Sequence, residues 1–254
     1  MCLILLAWRA HPEYPLVVAA NRDEYHARPS APAGFWEDRP DILGGRDLEF
    51  MGTWMGMTRA GKFAAVTNYR DSDGSSAGTL SRGLLAGRFL ENGERPAEFV
   101  GALAQDGSAY RGFNFLAGDL DELWWVSNRA AGPRRLDAGI HGLSNHLLDT
   151  PWPKVTRGKL RLARALETAP AVDPLLALLA DTSIAADAEL PDTGVGRERE
   201  RVLSAARIIS PAYGTRCSTV LMLGRTGRAR FAERSYDAQG NQGPTLQYEL
   251  TLAA

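Results

Sequence analysis

The chain has 254 residues, 44% hydrophobic and 23% charged, a composition that supports a substantial core in one large domain or two small ones. A formal net charge of −1 and a pI of about 6.4 exclude the basic footprint of a nucleic-acid binder and the polybasic patch of a membrane-surface protein. Two cysteines, Cys2 and Cys217, form no disulfide framework, zinc spacing or CxxC pair, so a reducing, cytoplasmic setting is expected.

The opening "MCLILLAW" is apolar but too short to cross a bilayer, and it lacks a positive flank and a small-residue cleavage site. No stable membrane insertion is expected. "CLILLAWRA" and "PLVVAAN" read as two strands of a hairpin around "HPEY". Residues 26–47, rich in Pro and Gly, read as one long loop. "GTWMGMTRAGKFAAVTNY" predicts a second hairpin, turning near Ala60-Gly61. "LSRGLLAGRFLENG" and "PAEFVGALAQDG" carry helical spacing with Gly stops.

"FNFLAGDLDELWWVSN" predicts a third hairpin, turning at Gly118-Asp119. "PWPKVTRGKLRLARALE" starts with Pro near its first turn and continues as a basic amphipathic helix. "DPLLALLADT" and "GRERERVLSAAR" are further helices. "RCSTVLMLG", "RARFAERSY" and "LQYELTL" close the chain as strands. No repeat or low-complexity linker divides it. The expectation is a single α+β domain spanning residues 1–254, with antiparallel sheets covered by helices.

One stretch does not fit a plain strand. "VVAANRDEY" runs from buried apolar residues into Asn21, Arg22, Asp23 and Glu24. With the first turn centred between Pro12 and Glu13, Ala10 faces Pro15, Leu6 faces Ala19 and Cys2 faces Asp23. Opposed Cβ atoms lie about 4.5–5.5 Å apart, which brings the polar cluster to the start of the chain. Removal of Met1 before a small residue would leave Cys2 carrying both a thiol and an α-amine. Such an amine has a pKa of about 7.7–8.0 and can take the thiol proton without a histidine. Asp23 would orient it by a charge-assisted hydrogen bond.

"MC", "ANRDE", "GTWMGMTRAGKFAAVTNYR", "GLSNHLLDTPWPKV" and "GTRCSTVLML", in this order across the chain, resemble the NRDE family, the homologues of transport and Golgi organisation protein 2. That family is similar to the N-terminal-nucleophile (Ntn) hydrolases, nearest the penicillin V acylase and bile salt hydrolase branch. The resemblance implies an αββα sandwich of two antiparallel sheets covered by helices. It implies Cys2 as nucleophile, Asp23 as the acid beside it, Asn68 as an oxyanion-hole donor and Asn145 as a second asparagine of the site. Arg216 matches a late arginine in a weaker local pattern. Those hydrolases read Arg-Asn-X-Asp where this chain has Ala20-Asn21-Arg22-Asp23, so the guanidinium is moved two positions along the same strand face.

Two functions follow as expectations. The first is an N-terminal-cysteine hydrolase or acyl-transfer enzyme acting on an amide or an acyl-coenzyme A-like thioester, with Asn21, Arg22, Glu24, Arg70 and Arg216 meeting the substrate and no cofactor required. Arg70 and Asp71 are placed on the same rim or read as surface charge, and the tryptophans 36, 54, 124, 125 and 152 in a pocket wall or the core. The alternative is a non-catalytic protein that binds and traffics haem or an acyl-coenzyme A or lipid, with Cys2, His26 or His146 as the axial haem ligand. Either way the partner is a small molecule rather than a nucleic acid, and the sequence assigns no oligomeric state.

Overall fold

The computed structural model describes residues 2–71, 78 and 80–253. Its first sheet has the order β10-β1-β2-β11-β12-β13, with β1 Cys2–Trp8, β2 Leu16–Tyr25, β10 Gly139–Leu143, β11 Tyr213–Leu223, β12 Arg228–Tyr236 and β13 Gln242–Thr251. Its second sheet follows chain order: β3 Ser30–Phe35, β4 Ile42–Asp47, β5 Met55–Thr58, β6 Phe63–Asn68, β7 Phe113–Gly118, β8 Leu123–Ser127 and β9 Arg134–Arg135. Neighbouring strands are antiparallel in both sheets.

The layering follows from strand alternation. Ile4, Leu6, Trp8, Val18 and Ala20 pack in one core with Leu43, Met55, Phe63 and Leu116 of the other sheet. The intervening Leu3, Leu5, Ala7, Val17 and Ala19 face outward. There they pack with α3 (Pro153–Ala165) and α4 (Val172–Leu179) through Val155, Leu162, Leu175 and Leu179. On the far side, Ala64, Val66 and Phe115 meet α1 (Gly83–Glu91) and α2 (Pro96–Asp106) through Phe89 and Phe99. A fifth helix, α5 (Arg197–Leu203), precedes β11. The result is α+β with αββα layers, as expected.

This layering also explains why β1 is apolar without alternation: both its faces are covered, and every residue is buried. Leu3, Ile4, Leu5 and Leu6 are each essentially inaccessible, a gain of about 1.5–3 kcal/mol apiece, so the start of the chain is pinned in the core. α3 lies so close to β1 that a Cβ on Gly158 would come within 2.6 Å of Leu5 Cδ1.

Three expectations need correction. The first hairpin pairs Cys2 with Arg22 and Trp8 with Leu16, one residue out of the expected register. The turn centres on Pro12, because Arg9 adopts φ 49° and its N–H donates to the Pro15 carbonyl at 2.7 Å. Residues 26–47 are not one loop but contain β3 and β4. Pro32 is tolerated because β3 is an edge strand with a register shift between Ala31 and Gly34. Finally, "GIHGL" forms β10, paired with β1 alone. The turn near Ala60-Gly61 is as expected, with Gly61 at φ 83°.

Candidate active site

A cavity of about 450 Å³ opens at the end of the sandwich where β1 begins and β2 and β6 end, and Cys2, Arg22, Glu24, Asn68 and Arg216 line it. Strand alternation divides the polar cluster of β2. Arg22 and Glu24 continue the inter-sheet face of Val18 and Ala20, whereas Asn21 and Asp23 continue the helix-facing side of Val17 and Ala19. Cys2 shares the inter-sheet face with Ile4 and Leu6, is 7% exposed, and stands directly opposite Arg22. Its carbonyl accepts a hydrogen bond from Ser144 Oγ at 2.9 Å, which fixes the residue that carries the thiol. Cys217 pairs with Arg22 from the other side, so Arg22 lies between the two cysteines.

Asp23 is 2% exposed. Its Oδ1 accepts from Thr215 Oγ1 at 2.7 Å and its carbonyl from the Tyr213 hydroxyl at 3.0 Å. Its carboxylate raises the Cys2 thiol pKa and its backbone lowers it. Asp23 follows Arg22, the strand partner of Cys2, so the Asp23 and Cys2 side chains are not directly opposed. Arg22 reaches Asp47 at 3.7 Å. Asp47 also accepts from Arg28 Nε at 2.6 Å and from the N–H groups of Glu49 and Phe50. Arg216 Nη1 donates to the carbonyls of Tyr25, His26 and Arg28, holding the loop that leaves β2.

Three predicted residues do not line the cavity. Asn21, fully buried, donates to the carbonyls of Leu179 at 2.9 Å and Ala206 at 2.7 Å and accepts from Ser218 Oγ at 2.6 Å. It ties the sheet to the last residue of α4 and to the segment after α5. Asn145, also fully buried, donates to the Asn68 carbonyl at 2.9 Å and so sets the backbone from which Asn68 projects. Arg70 is not a rim or surface charge. It pairs with Glu200 at 2.9 Å, donates to Thr193 Oγ1 at 3.0 Å and lies over the Trp152 ring. Asp71 pairs with Arg129 at 2.7 Å. Of the tryptophans, only Trp54 lines the cavity.

Several cavity residues escape the sequence reading because each sits in an unremarkable context. Arg82 and Arg111 line the cavity. Burial and the neighbouring Arg111 pull the Arg82 guanidinium below its usual range. Six arginines face four carboxyl groups around the cavity. Among the described residues, Arg82, Arg111 and Arg216 have no carboxylate partner. Glu233 bridges the sheets by accepting from the Ala33 N–H at 2.7 Å, and burial pushes its carboxyl up. Behind the sheet lies Lys154, 2% exposed, in the first turn of α3. Acids are favoured in a first turn, and that anomaly is the one signal the sequence offers for it.

Burial pushes the Cys2 thiol above its ordinary range, with Asp23 adding to the shift and Arg22 opposing it. The resting sulfur is therefore protonated near neutral pH, and attack on a carbonyl needs a base. No histidine lines the cavity among the described residues. His26 Nε2 lies 3.1 Å from the Ser210 carbonyl, and His146 Nδ1 lies 2.9 Å from Thr150 Oγ1. Met1 lies outside the described residues. No group of three His, Cys, Asp or Glu is placed to hold a metal among the described residues, nor is any helix there long and apolar enough to cross a membrane.

The sequence model of the family described as Transport and Golgi organisation 2 matches residues 1–238. The Transport and Golgi organization protein 2 homolog of Homo sapiens is 36% identical over 277 aligned positions, 99% of each chain. The Mus musculus homolog is 34% identical over 275, again 99% of each. Among solved structures, the C2A mutant of conjugated bile acid hydrolase from Clostridium perfringens matches with TM-score 0.52 and 12% identity, over 98% of this chain and 96% of that one. The likeness is one of fold, and it gives the αββα layers an Ntn-hydrolase counterpart.

Proposed function

The chain belongs to the Transport and Golgi organisation 2 family, and we propose that it is an N-terminal-cysteine hydrolase whose amide or thioester substrate carries an anionic group. The observation that carries this reading is the position of Cys2. It is the first residue of β1, pinned by the core, and it opens onto a 450 Å³ cavity beside Asn68. A raised thiol with no histidine beside it calls for a base on residue 2 itself, and removal of Met1 supplies one in the α-amine.

In the proposed reaction the amine takes the Cys2 proton and the sulfur bonds to the carbonyl carbon. The Asn68 amide donates to the developing oxyanion. Collapse breaks the bond to the leaving amine or thiol, which departs with the proton from the ammonium. Water then hydrolyses the acyl-cysteine to a carboxylic acid and restores the thiol. Arg82, Arg111 and Arg216 support a carboxylate or phosphate on the substrate, because guanidinium groups that line a cavity without an ion pair among the described residues suit such anions. Acyl-coenzyme A thioesters belong to this class. Haem, the alternative ligand, is less well supported: of its three candidate axial residues only Cys2 faces the cavity, and a raised thiol opposes thiolate ligation.

The test is the intact mass of protein expressed with an untagged N-terminus, before and after incubation with an acyl-coenzyme A. Loss of Met1 followed by an acyl adduct that is absent from Cys2→Ala is the expected result. Retained Met1, or a free Cys2 that never acylates, overturns the proposal.

A further inference from the structure

Lys154 occupies a position that the fold disfavours three times over. It is 2% exposed, its Nζ has no hydrogen-bond partner among the described residues, and it is the second residue of α3, at the positive end of the helix dipole. A cation is unfavourable there, and an ammonium removed from water without hydrogen bonds loses its solvation uncompensated. Only neighbouring charge can hold it in place. α3 packs on the outer face of β1, where Lys154 borders a small void with Leu3 and Leu5. Asp23 lies on that same helix-facing side of β2.

The charges around it come from every neighbouring element. Asp23 from β2 and Glu200 from α5 favour the ammonium, as would a Cys2 thiolate from β1, while Arg70 after β6 opposes it. Arg157 and Arg161 of α3 and Asp181 after α4 border the same void. Asp23 is in turn acted on by Lys154, by the Thr215 hydroxyl and by Glu24. Tyr213 on β11 borders it through its hydroxyl. One buried carboxylate thus acts on Lys154, and it follows Arg22, the strand partner of residue 2, whose nitrogen becomes the α-amine when Met1 is removed.

We propose that Lys154 is a positioning residue of the active site, sharing Asp23 with the α-amine of residue 2 and thereby keeping that amine neutral enough to accept the Cys2 proton. The inference rests on the reading of Cys2 as an N-terminal nucleophile. Its electrostatics are simple. Undivided, the Asp23 carboxylate would form a full ion pair with the α-ammonium and raise its pKa. A second cation on the same carboxylate weakens that pair and repels the ammonium directly, so the amine releases its proton at lower pH. Burial pulls Lys154 down to about 8, with Asp23 opposing the fall, so the side chain is still mostly charged at pH 7. A purely structural lysine in this place would be better replaced by an apolar side chain of similar length.

The test uses the full chain with Met1 removed, acylated by p-nitrophenyl acetate between pH 5 and 9, with the Cys2 adduct followed by intact mass and folding by circular dichroism. In Lys154→Met the midpoint of the ascending limb should move up by about one pH unit, a roughly tenfold slower acylation below the limb. Lys154→Arg, which keeps the charge, should retain the wild-type midpoint. Lys154→Gln is a second neutral replacement, so one folded neutral variant suffices. A folded neutral variant with an unmoved midpoint overturns the role of Lys154 while leaving the nucleophile in place. A wild-type chain that acylates no faster than Cys2→Ala overturns the underlying reading instead.

Discussion

Asn21 carries the name-giving position of the "NRDE" stretch, yet the structure makes it a bracket rather than a contact. Replacing it by Leu tests that assignment. Its side chain is fully buried and makes three hydrogen bonds: to the carbonyls of Leu179 and Ala206, and from the Ser218 hydroxyl. Leucine satisfies none of them and leaves all three partners inside the protein. Each stranded buried group costs about 1–3 kcal/mol, so the expected loss is about 3–5 kcal/mol. For a chain of this length each kcal/mol lowers the melting temperature by about 2–4 °C, placing the fall on the order of 10 °C. Urea titration and thermal melts give the magnitude, and iodoacetamide labelling of Cys2 in the folded protein gives the local effect. The expected pattern is a large stability loss with Cys2 labelling nearly unchanged below the transition. A stability loss under about 1 kcal/mol, or lost Cys2 reactivity at full stability, would refute the bracket and return Asn21 to the site.

Asp149 predicts an acid-sensitive link between β10 and α3. Burial pushes its carboxyl up, but hydrogen bonds from His141 and Lys159 outweigh this and hold it well below the usual carboxylate range. A depressed folded-state value contributes stability above the unfolded pKa, near 3.8, and loses it as pH falls further. Wild type should therefore lose more stability than Asp149→Asn below about pH 4, as read by melts across pH. Asparagine suits the φ of 61° at that position, so the turn itself is retained. Arg82→Gln should weaken inhibition of Cys2 labelling by an anionic thioester about tenfold, since charged hydrogen bonds contribute roughly 1.5–3 kcal/mol, and should flatten the salt dependence. Gly52→Ala drives a Cβ into the Gly83 carbonyl, so it should displace the start of α1 at the cavity mouth and weaken the same inhibition along with stability. Haem titration should give a Soret band that Cys2→Ala leaves unaltered.

The parts of the fold legible in the sequence are those buried on both faces or strongly periodic. β1 and β2 are continuous apolar runs because a sheet and a helical layer both cover them, and α2 and α3 announce themselves by Pro96 and Pro153 at their first turns. β3 and β4 are hidden because an edge strand tolerates Pro32 and Gly34, while Gly44 sits so close to the Met55 carbonyl that a Cβ would lie 2.7 Å away. Their glycines mark close strand packing as much as turns. β10 is hidden for a related reason, since Gly139 and Gly142 interrupt any alternation and the strand has one neighbour.

At the site, the sequence identifies the residues that meet but not the faces on which they meet. The register error is a single residue, yet in a strand of period two it exchanges every partner. Cys2 opposes Arg22 rather than Asp23. Arg22 and Glu24 thus enter the cavity with the thiol, while Asn21 and Asp23 turn toward the helices. The dense polar cluster at the end of β2 is therefore two sets of groups serving opposite sides of one sheet. Arg22 and Glu24 contribute two of the charges that line the cavity, and Asn21 brackets the fold. Asp23 belongs to both, because it lines the cavity while its carboxyl accepts from Thr215 Oγ1 and favours the Lys154 ammonium.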